Sequence, residues 1–421
     1  MQSGVGKVSL AALFLAAVPA CGVGATGGVG GASSSTTSEG SSGGGGSGGA
    51  SSTAGTGGAA STVSASASAG ASGTGGGPPK GEPYVYVGGY GNQIHIFHLD
   101  VGDGSLTPVG SPVDAGTNPS FLAVDPAHHT LFAVNEDGAG KGAVASFHLD
   151  AGTGQLTFLS RKSSQGDGPA HVSTDKTGGF AFVANYGGGT VAVLPIGPGG
   201  LLGDATDVHD HGGPSANPHQ TIVSPANDYA FVPNKGLDTV TRYAFNAVTG
   251  KLTSATTLSV AGGAGPRHLD FGPSGAHAYL INENDSTIDA LSYDAAAGKL
   301  TSIQTISTLP AGFQGNNTGA EVQVAPSGKF VYASNRGHDS IAVFSVGPAG
   351  ELALVGHQPT MGQTPRHFQI EASGEILLVA NQSSNNVVTF RIDAAKGTLT
   401  PTGKSVTVQS CSYVGVVYLA P

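Results

Sequence analysis

The sequence predicts an all-β protein: a seven-bladed β-propeller, closed by N- and C-terminal strands that share one blade and preceded by a disordered tether. Three observations carry this reading. From Gly81 onward one unit recurs, opening at Pro119, Pro169, Pro218, Pro266, Gly319 and Pro365, at intervals of 50, 49, 48, 53 and 46 residues. In every block an apolar run ends in Asn 16 residues after the opener, at Asn135, Asn185, Asn234, Asn282, Asn335 and Asn381. Gly makes up 70 of 421 residues, more than twice the ~7% of average usage. That load excludes a helix-rich protein, because Gly inside a helix costs about 1 kcal/mol relative to Ala. The Gly residues follow no three-residue period, which excludes collagen.

Taken in order, the chain begins with an address. Residues 1–20 carry one charge, Lys7, and an apolar run from Val8 to Val18. The run is shorter than the roughly 20 residues of a spanning helix and has the layout of a secretory signal peptide. Val18-Pro19-Ala20-Cys21 resembles a bacterial lipobox, which implies lipidation of Cys21. Residues 21–82 are the expected tether. Gly22–Pro79 contains only Gly, Ser, Ala, Thr, Val and Pro apart from Glu39, too little apolar surface to repay the entropy of ordering. A flexible coil of 58 residues spans roughly 40–45 Å between its ends. The expectation is therefore an exported, monomeric protein of the cell envelope. A lipid anchor at Cys21 would hold a folded domain, residues 83–421, away from a membrane, and without lipidation the protein would be secreted.

Each later block contains an apolar run, a turn, a second run ending in Asn and a third run such as Thr190–Leu194, Ser340–Phe344 or Asn386–Phe390. An Asp/Gly turn then leads to a short strand beginning at Leu156, Leu252, Leu300, Leu352 or Leu399. Four short strands per 40–50 residues form a propeller blade. Constant spacing inside a variable period marks a fixed hairpin joined by loops of changing length. The last block ends near Val408. The remaining pieces complete a further blade: Tyr84–Tyr90, Gln93–Leu99 and Leu106–Gly110 supply its outer strands, and Ser412–Leu419 its first. Sharing a blade between the termini removes the open edge of the array.

Repeat equivalence then locates a site. The first strand of a blade lines the central channel, and its start lies beside the end of strand two. The first places after the openers hold Ser120, Ala170, His219, Arg267, Ala320 and Arg366. The second places hold Phe121, His171, Gln220, His268, Glu321 and His367. The residues following each Asn are Glu136, Tyr186, Lys235, Glu283, Arg336 and Gln382. All three sets are expected at one channel mouth. The fifth places, Val124, Thr174, Val223, Phe271, Val324 and Ile370, read as blade packing. Only 10% of residues are charged, so this concentration points to chemistry on a polar small molecule. A net charge of −10 without Lys/Arg clusters argues against nucleic acid as a partner. The repeated Asn residues are expected to be structural. His209-Asp210-His211 reads as a loop without a further ligand, so neither metal nor cofactor is expected. Cys411 reads as a small buried residue of the last strand.

Several segments carry a family resemblance: Pro218-His219, Gly265-Pro266-Arg267-His268, Ile281-Asn282-Glu283, Gly319–Ser327, Tyr332-Ala333-Ser334-Asn335-Arg336-Gly337 and Thr364-Pro365-Arg366-His367. Through them residues 84–419 resemble the seven-bladed propeller lactonases, the group that holds bacterial 6-phosphogluconolactonase and fungal carboxy-cis,cis-muconate cyclase. One departure is Asn234-Lys235-Gly236, where that family often has an acidic Asp-Leu-Gly turn. The exchange adds a cation at the rim and bears on substrate choice.

The resemblance implies hydrolysis of a lactone ring, which needs an activated water and a stabilised oxyanion. Glu321, or His219 in its place, is the expected base, and Arg336 would polarise the carbonyl. Arg267 and Arg366 would bind an anionic substituent. His171, His268 and His367 would orient these groups or shuttle protons, and Glu283 joins the substrate-binding set. An address outside the cytoplasm favours an unphosphorylated sugar lactone or a carboxylated lactone. The alternative is a non-catalytic, lipid-anchored propeller that binds an anionic small molecule or a protein partner. Lactone-forming cyclase chemistry is a third reading.

Overall fold

The computed structural model describes residues 79–125 and 127–420. The leader, Cys21 and the tether up to residue 78 lie outside the described residues.

Seven antiparallel sheets follow one another around the ring. Blade 1 pairs Cys411–Leu419, Glu82–Gly89, Gln93–Leu99 and Leu106–Pro108 in that order, with Val113–Asp114 beside the start of Gln93–Leu99. Blade 2 comprises Leu122–Asp125, Thr130–Asn135, Ala143–Leu149 and Leu156–Ser163, and blade 3 Pro169–Thr174, Phe180–Asn185, Thr190–Pro195 and Asp207–Asp210. Blade 4 runs through Ile222–Val223, Tyr229–Asn234, Thr239–Asn246 and Lys251–Ser259, and blade 5 through Pro266–Phe271, His277–Asn282, Thr287–Asp294 and Lys299–Ser307. Blade 6 uses Thr318–Val324, Phe330–Arg336, Ser340–Val346 and Leu352–Pro359, and blade 7 Pro365–Ile370, Ile376–Asn381, Asn386–Ile392 and Leu399–Thr407. This is the predicted architecture, shared blade included. One expectation is corrected: His209 and Asp210 belong to the outer strand Asp207–Asp210 of blade 3, not to a loop. There His209 Nε2 lies 3.0 Å from Asp207 Oδ2, and the Tyr243 hydroxyl lies 3.1 Å from His211 Nε2.

The sequence pattern of each strand follows from its place in the blade. Second strands such as Thr130–Asn135 and Phe180–Asn185 are buried along their whole length, because a neighbouring blade covers each face. They therefore read as continuous apolar runs, whereas outer strands such as Leu399–Thr407 are mostly exposed. The core is a set of interblade seams. Phe330, Tyr332 and Ile341 of blade 6, for example, pack on Phe368, Leu377 and Phe390 of blade 7.

Four of the six repeated Asn residues, Asn135, Asn185, Asn335 and Asn381, secure these seams, while Asn234 and Asn282 bond within their own blades. Asn185 Nδ2 donates to Ser164 O at 2.7 Å, Asn335 Nδ2 to Thr308 O at 2.8 Å and Asn381 Nδ2 to Thr360 O at 3.0 Å. Each bond ties the end of a second strand to the chain arriving from the preceding blade, the structural role read from the sequence.

The Asp/Gly turns do the same at the periphery. Gly397 has φ +72°, and a Cβ there would stand 2.4 Å from Phe330 Cδ1. Its carbonyl accepts a 2.8 Å hydrogen bond from the Tyr332 hydroxyl. Gly397→Ala is expected to cost about 2–4 kcal/mol, from left-handed backbone and overpacking together. Gly403, with φ +78° and open space around its Cβ position, should lose only about 1–2 kcal/mol on the same change. Paired urea unfolding curves check this, and equal losses would refute the packing role.

Candidate active site

Every blade admits one extra residue where its first strand begins. In blade 5 Pro266 lies opposite Asn282 and His268 opposite Ile281, leaving Arg267 between them. Pro169 and His171 face Asn185 and Ala184 in the same way, as do Pro365 and His367 opposite Asn381 and Ala380. In blade 6 the shift falls between Gly319 and Val322, and in blade 1 between Gly88 and Gly89, where Cys411 and Tyr413 flank Ser412. A two-for-one bulge bends and twists its strand and re-aims the side chains beside it.

The consequence is two layers where the sequence suggests one rim. A pocket of about 180 Å³ at the mouth is lined by Glu136, Ala170, Tyr186, His219, Glu283, Arg336 and Arg366. All are first-place or post-Asn residues. None of the second-place residues lines this pocket. Phe121, His171, Gln220, His268, Glu321 and His367 are all buried, forming the layer beneath. The Phe121 ring fills the middle of that layer, with centroids 4.3 Å from His171, 4.8 Å from Tyr413, 5.4 Å from His367 and 5.8 Å from His268.

Glu283 organises the mouth. Its Oε2 lies 3.0 Å from Arg267 Nε and 3.1 Å from Arg336 Nη2, and its Oε1 lies 2.9 Å from Lys235 Nζ. Burial works to raise this carboxyl, but the surrounding cations hold it down to about 2. Arg336 also donates to Gly319 O at 2.9 Å, and Arg267 to Ala320 O at 2.6 Å. Lys235, the departure seen in the sequence, thus becomes the third cation on one carboxylate. Asn234 beside it is buried and bonds Thr241 Oγ1 at 3.0 Å. Arg366 is different: its guanidinium lies over the Tyr90 ring, 5.4 Å from the centroid, and meets no carboxylate at ion-pair distance among the described residues. Glu136 accepts the Ser120 hydroxyl and, at 3.4 Å, that of Tyr90. Lys235, Arg267, Arg336 and Arg366 outnumber Glu136 and Glu283, so the mouth of this acidic protein attracts anions.

Below the mouth, Glu321 Oε2 lies 2.8 Å from His268 Nδ1, and His268 Nε2 lies 3.2 Å from His219 Nδ1. His367 Nε2 approaches the same Glu321 oxygen at 3.4 Å. Burial, and after it Arg267, holds His268 and His219 well below the usual imidazole range. Burial takes His171 and His367 down to about 3. Burial pushes the Glu321 carboxyl well above the ordinary carboxylate range. Arg267 is lowered by its own burial and by Arg336 beside it. Glu321, the first sequence candidate for the base, therefore reaches the pocket only through His268 and His219.

The sequence reading missed Tyr90, Ser412 and Tyr413, which complete these layers from the shared blade. The signal was present in disguise. With Cys411 as opener and Gly89 in the Asn place, Ser412, Tyr413 and Tyr90 fall into the three sets. Cys411 itself is fully buried, its thiol pushed up to about 12 by that burial. Among the described residues no group of three or more His, Cys, Asp or Glu is arranged to hold a metal ion.

The structure is thus a seven-bladed propeller with a cationic, histidine-bearing pocket at one mouth of its channel. The chain belongs to the lactonase family of seven-bladed β-propellers, whose family model matches residues 84–416. It is 34% identical over 334 residues to the 6-phosphogluconolactonase of Bacillus subtilis, spanning 77% of this chain and 94% of that protein. It is 32% identical over 324 residues to that of Formosa agariphila, spanning 73% and 91%. Among solved structures, the periplasmic gluconolactonase of Pseudomonas aeruginosa superposes with a TM-score of 0.75 at 32% identity, over 80% of this chain and all of that one.

Proposed function

We propose that the protein hydrolyses a sugar lactone at the pocket of the channel mouth. One observation carries the reading: His219, Arg336 and Arg366 converge on a single space of about 180 Å³. His219 has Nδ1 occupied by His268, so its Nε2 is left to take a proton from water. Arg336, anchored by Glu283 and Gly319 O, presents its charge where the tetrahedral oxyanion forms. Arg366, stacked on Tyr90, has its charge available for an anionic or hydroxyl-bearing substituent. Arg267 is held against Glu283 and Ala320 O and sets the field rather than gripping substrate. His171 and His367, in the layer below, keep the site dry and dense.

Small pocket volume suits one small ring. The periplasmic location of the Pseudomonas relative and the secretory layout of residues 1–20 support an unphosphorylated sugar lactone. The residue-level lipid anchor at Cys21 stays part of the same proposal. The test is a panel of aldonolactones, phosphorylated and not, assayed above their spontaneous opening. Conversion of glucono-1,5-lactone by the wild type and not by Arg336→Gln is the expected result. A ligand that raises the melting temperature without being converted would instead establish a binding module.

A further inference from the structure

We propose that Glu321, His268 and His219 form one buried proton relay, with Glu321 as the positioning residue that stores the proton taken up by His219. Its catalytic consequence rests on the hydrolase reading; its geometry does not. His268 is engaged at both nitrogens: Nδ1 lies 2.8 Å from Glu321 Oε2, and Nε2 lies 3.2 Å from His219 Nδ1. His219 Nε2 is then the only ring nitrogen of the trio left for the pocket.

Two proton arrangements satisfy every bond. With Glu321 ionised, His268 Nδ1–H donates to it, and His219 Nδ1–H donates to His268 Nε2. His219 Nε2 is then bare and basic. With Glu321 protonated, its hydroxyl donates to His268 Nδ1, and His268 Nε2–H donates to His219 Nδ1. His219 then carries its proton on Nε2 and is a donor. The arrangements differ by one proton, which enters at His219 Nε2 and is stored at Glu321.

The hydrolytic step balances on this exchange. Water loses a proton to His219 Nε2 as its oxygen bonds to the lactone carbonyl carbon. The His219 Nδ1 proton moves to His268 Nε2, and the His268 Nδ1 proton moves to Glu321 Oε2. When the ring C–O bond breaks, the shifts reverse and the leaving alkoxide takes the proton from His219 Nε2. No imidazolium forms.

The surroundings favour this route. Arg267 flanks the trio and disfavours a second cation, and both imidazoles are held down while the carboxyl is raised. His367 turns Nε2 toward Glu321 at 3.4 Å while its Nδ1 receives the Val414 amide at 3.5 Å. His171 and Tyr413 also adjoin the trio, the Tyr186 ring stands 5.4 Å from that of His219, and Arg366 and Arg336 add positive charge that lowers His219. Burial raises the Glu321 carboxyl and Asp270 adds to this, while Arg267 works to lower it. The trio titrates as a unit, and its basic form appears as pH rises past a midpoint well above that of an ordinary Glu.

The test is ¹⁵N-histidine NMR on the whole wild-type protein. As pH rises, His219 and His268 should pass together from the Nε2–H to the Nδ1–H tautomer, with no imidazolium signal. A fixed tautomer, or titration of His219 to imidazolium, overturns the relay. A second arm uses Glu321→Gln, whose amide can accept the His268 bond but cannot take its proton. With glucono-1,5-lactone kcat should fall about 10²-fold and the acid limb of the pH profile should vanish, with KM within about threefold of wild type. An unchanged profile overturns the relay. Tautomer exchange in a protein that opens no lactone would uphold the relay and overturn the reaction. Hydrolysis with a fixed tautomer would do the reverse.

Discussion

Replacing His219 with Asn is expected to lower kcat/KM for a hydrolysed lactone about 10²–10⁴-fold, the usual worth of a general base, while the ring stays folded. His219 is the one imidazole that both lines the mouth and bonds the layer beneath it. Asn keeps a hydrogen-bonding partner for His268, so no buried ring nitrogen is stranded; a stranded group would cost about 1–3 kcal/mol. It cannot take a proton from water. Arg336 and Arg366 remain in place, since neither contacts His219 through an ion pair, and substrate binding should change little. Rates measured beside melting curves separate the two effects. A variant with full activity would remove His219 from the chemistry, and a collapsed melting temperature would show the residue to be structural.

Removing Cys411–Pro421 is expected to abolish cooperative folding altogether. The strand Cys411–Leu419 is the inner strand of blade 1, paired with Glu82–Gly89 from Leu419↔Glu82 to Cys411↔Gly89. Its Tyr413, Val414, Val417 and Leu419 are buried. At about 1.5–3 kcal/mol per buried side chain, these four alone represent roughly 6–12 kcal/mol, comparable to a whole domain's net stability of about 5–15 kcal/mol. The strand also bridges to both neighbours: Ser412 Oγ donates to Ser120 O at 2.8 Å in blade 2, and the Tyr418 hydroxyl to Glu371 Oε2 at 2.7 Å in blade 7. Its loss would open the ring and bare an edge of Glu82–Gly89. Soluble truncated protein with a sharp, unshifted thermal transition would refute this.

The blade count was legible because each blade repeats one hairpin, and the 16-residue spacing from opener to Asn survives every change in loop length. Which residues gather at the channel mouth was legible for the same reason. Their layering was not, because a bulge leaves no mark on residue identity. Arg267 and His268 look equivalent in sequence, yet one side chain meets Glu283 at the mouth and the other meets Glu321 below it. The outer strand of blade 3 escaped notice because it begins at Asp207 and follows a 3-10 turn at Pro198–Gly200, without the Leu found at the first or second position of the other outer strands. Tyr90 and Tyr413 escaped because their blade is assembled from the two ends of the domain, more than three hundred positions apart.

The extra residue at the head of each blade separates two kinds of evolutionary change. On the proposed reading, neighbouring codons there would govern different traits: the first what the mouth accepts, the second the buried layer beneath it. On that same reading, mouth-lining positions such as Ala170 and Tyr186 can therefore change while Glu321 and His268 stay fixed beneath them. The ring is, in effect, a dial whose outer markings can be rewritten without touching the gears.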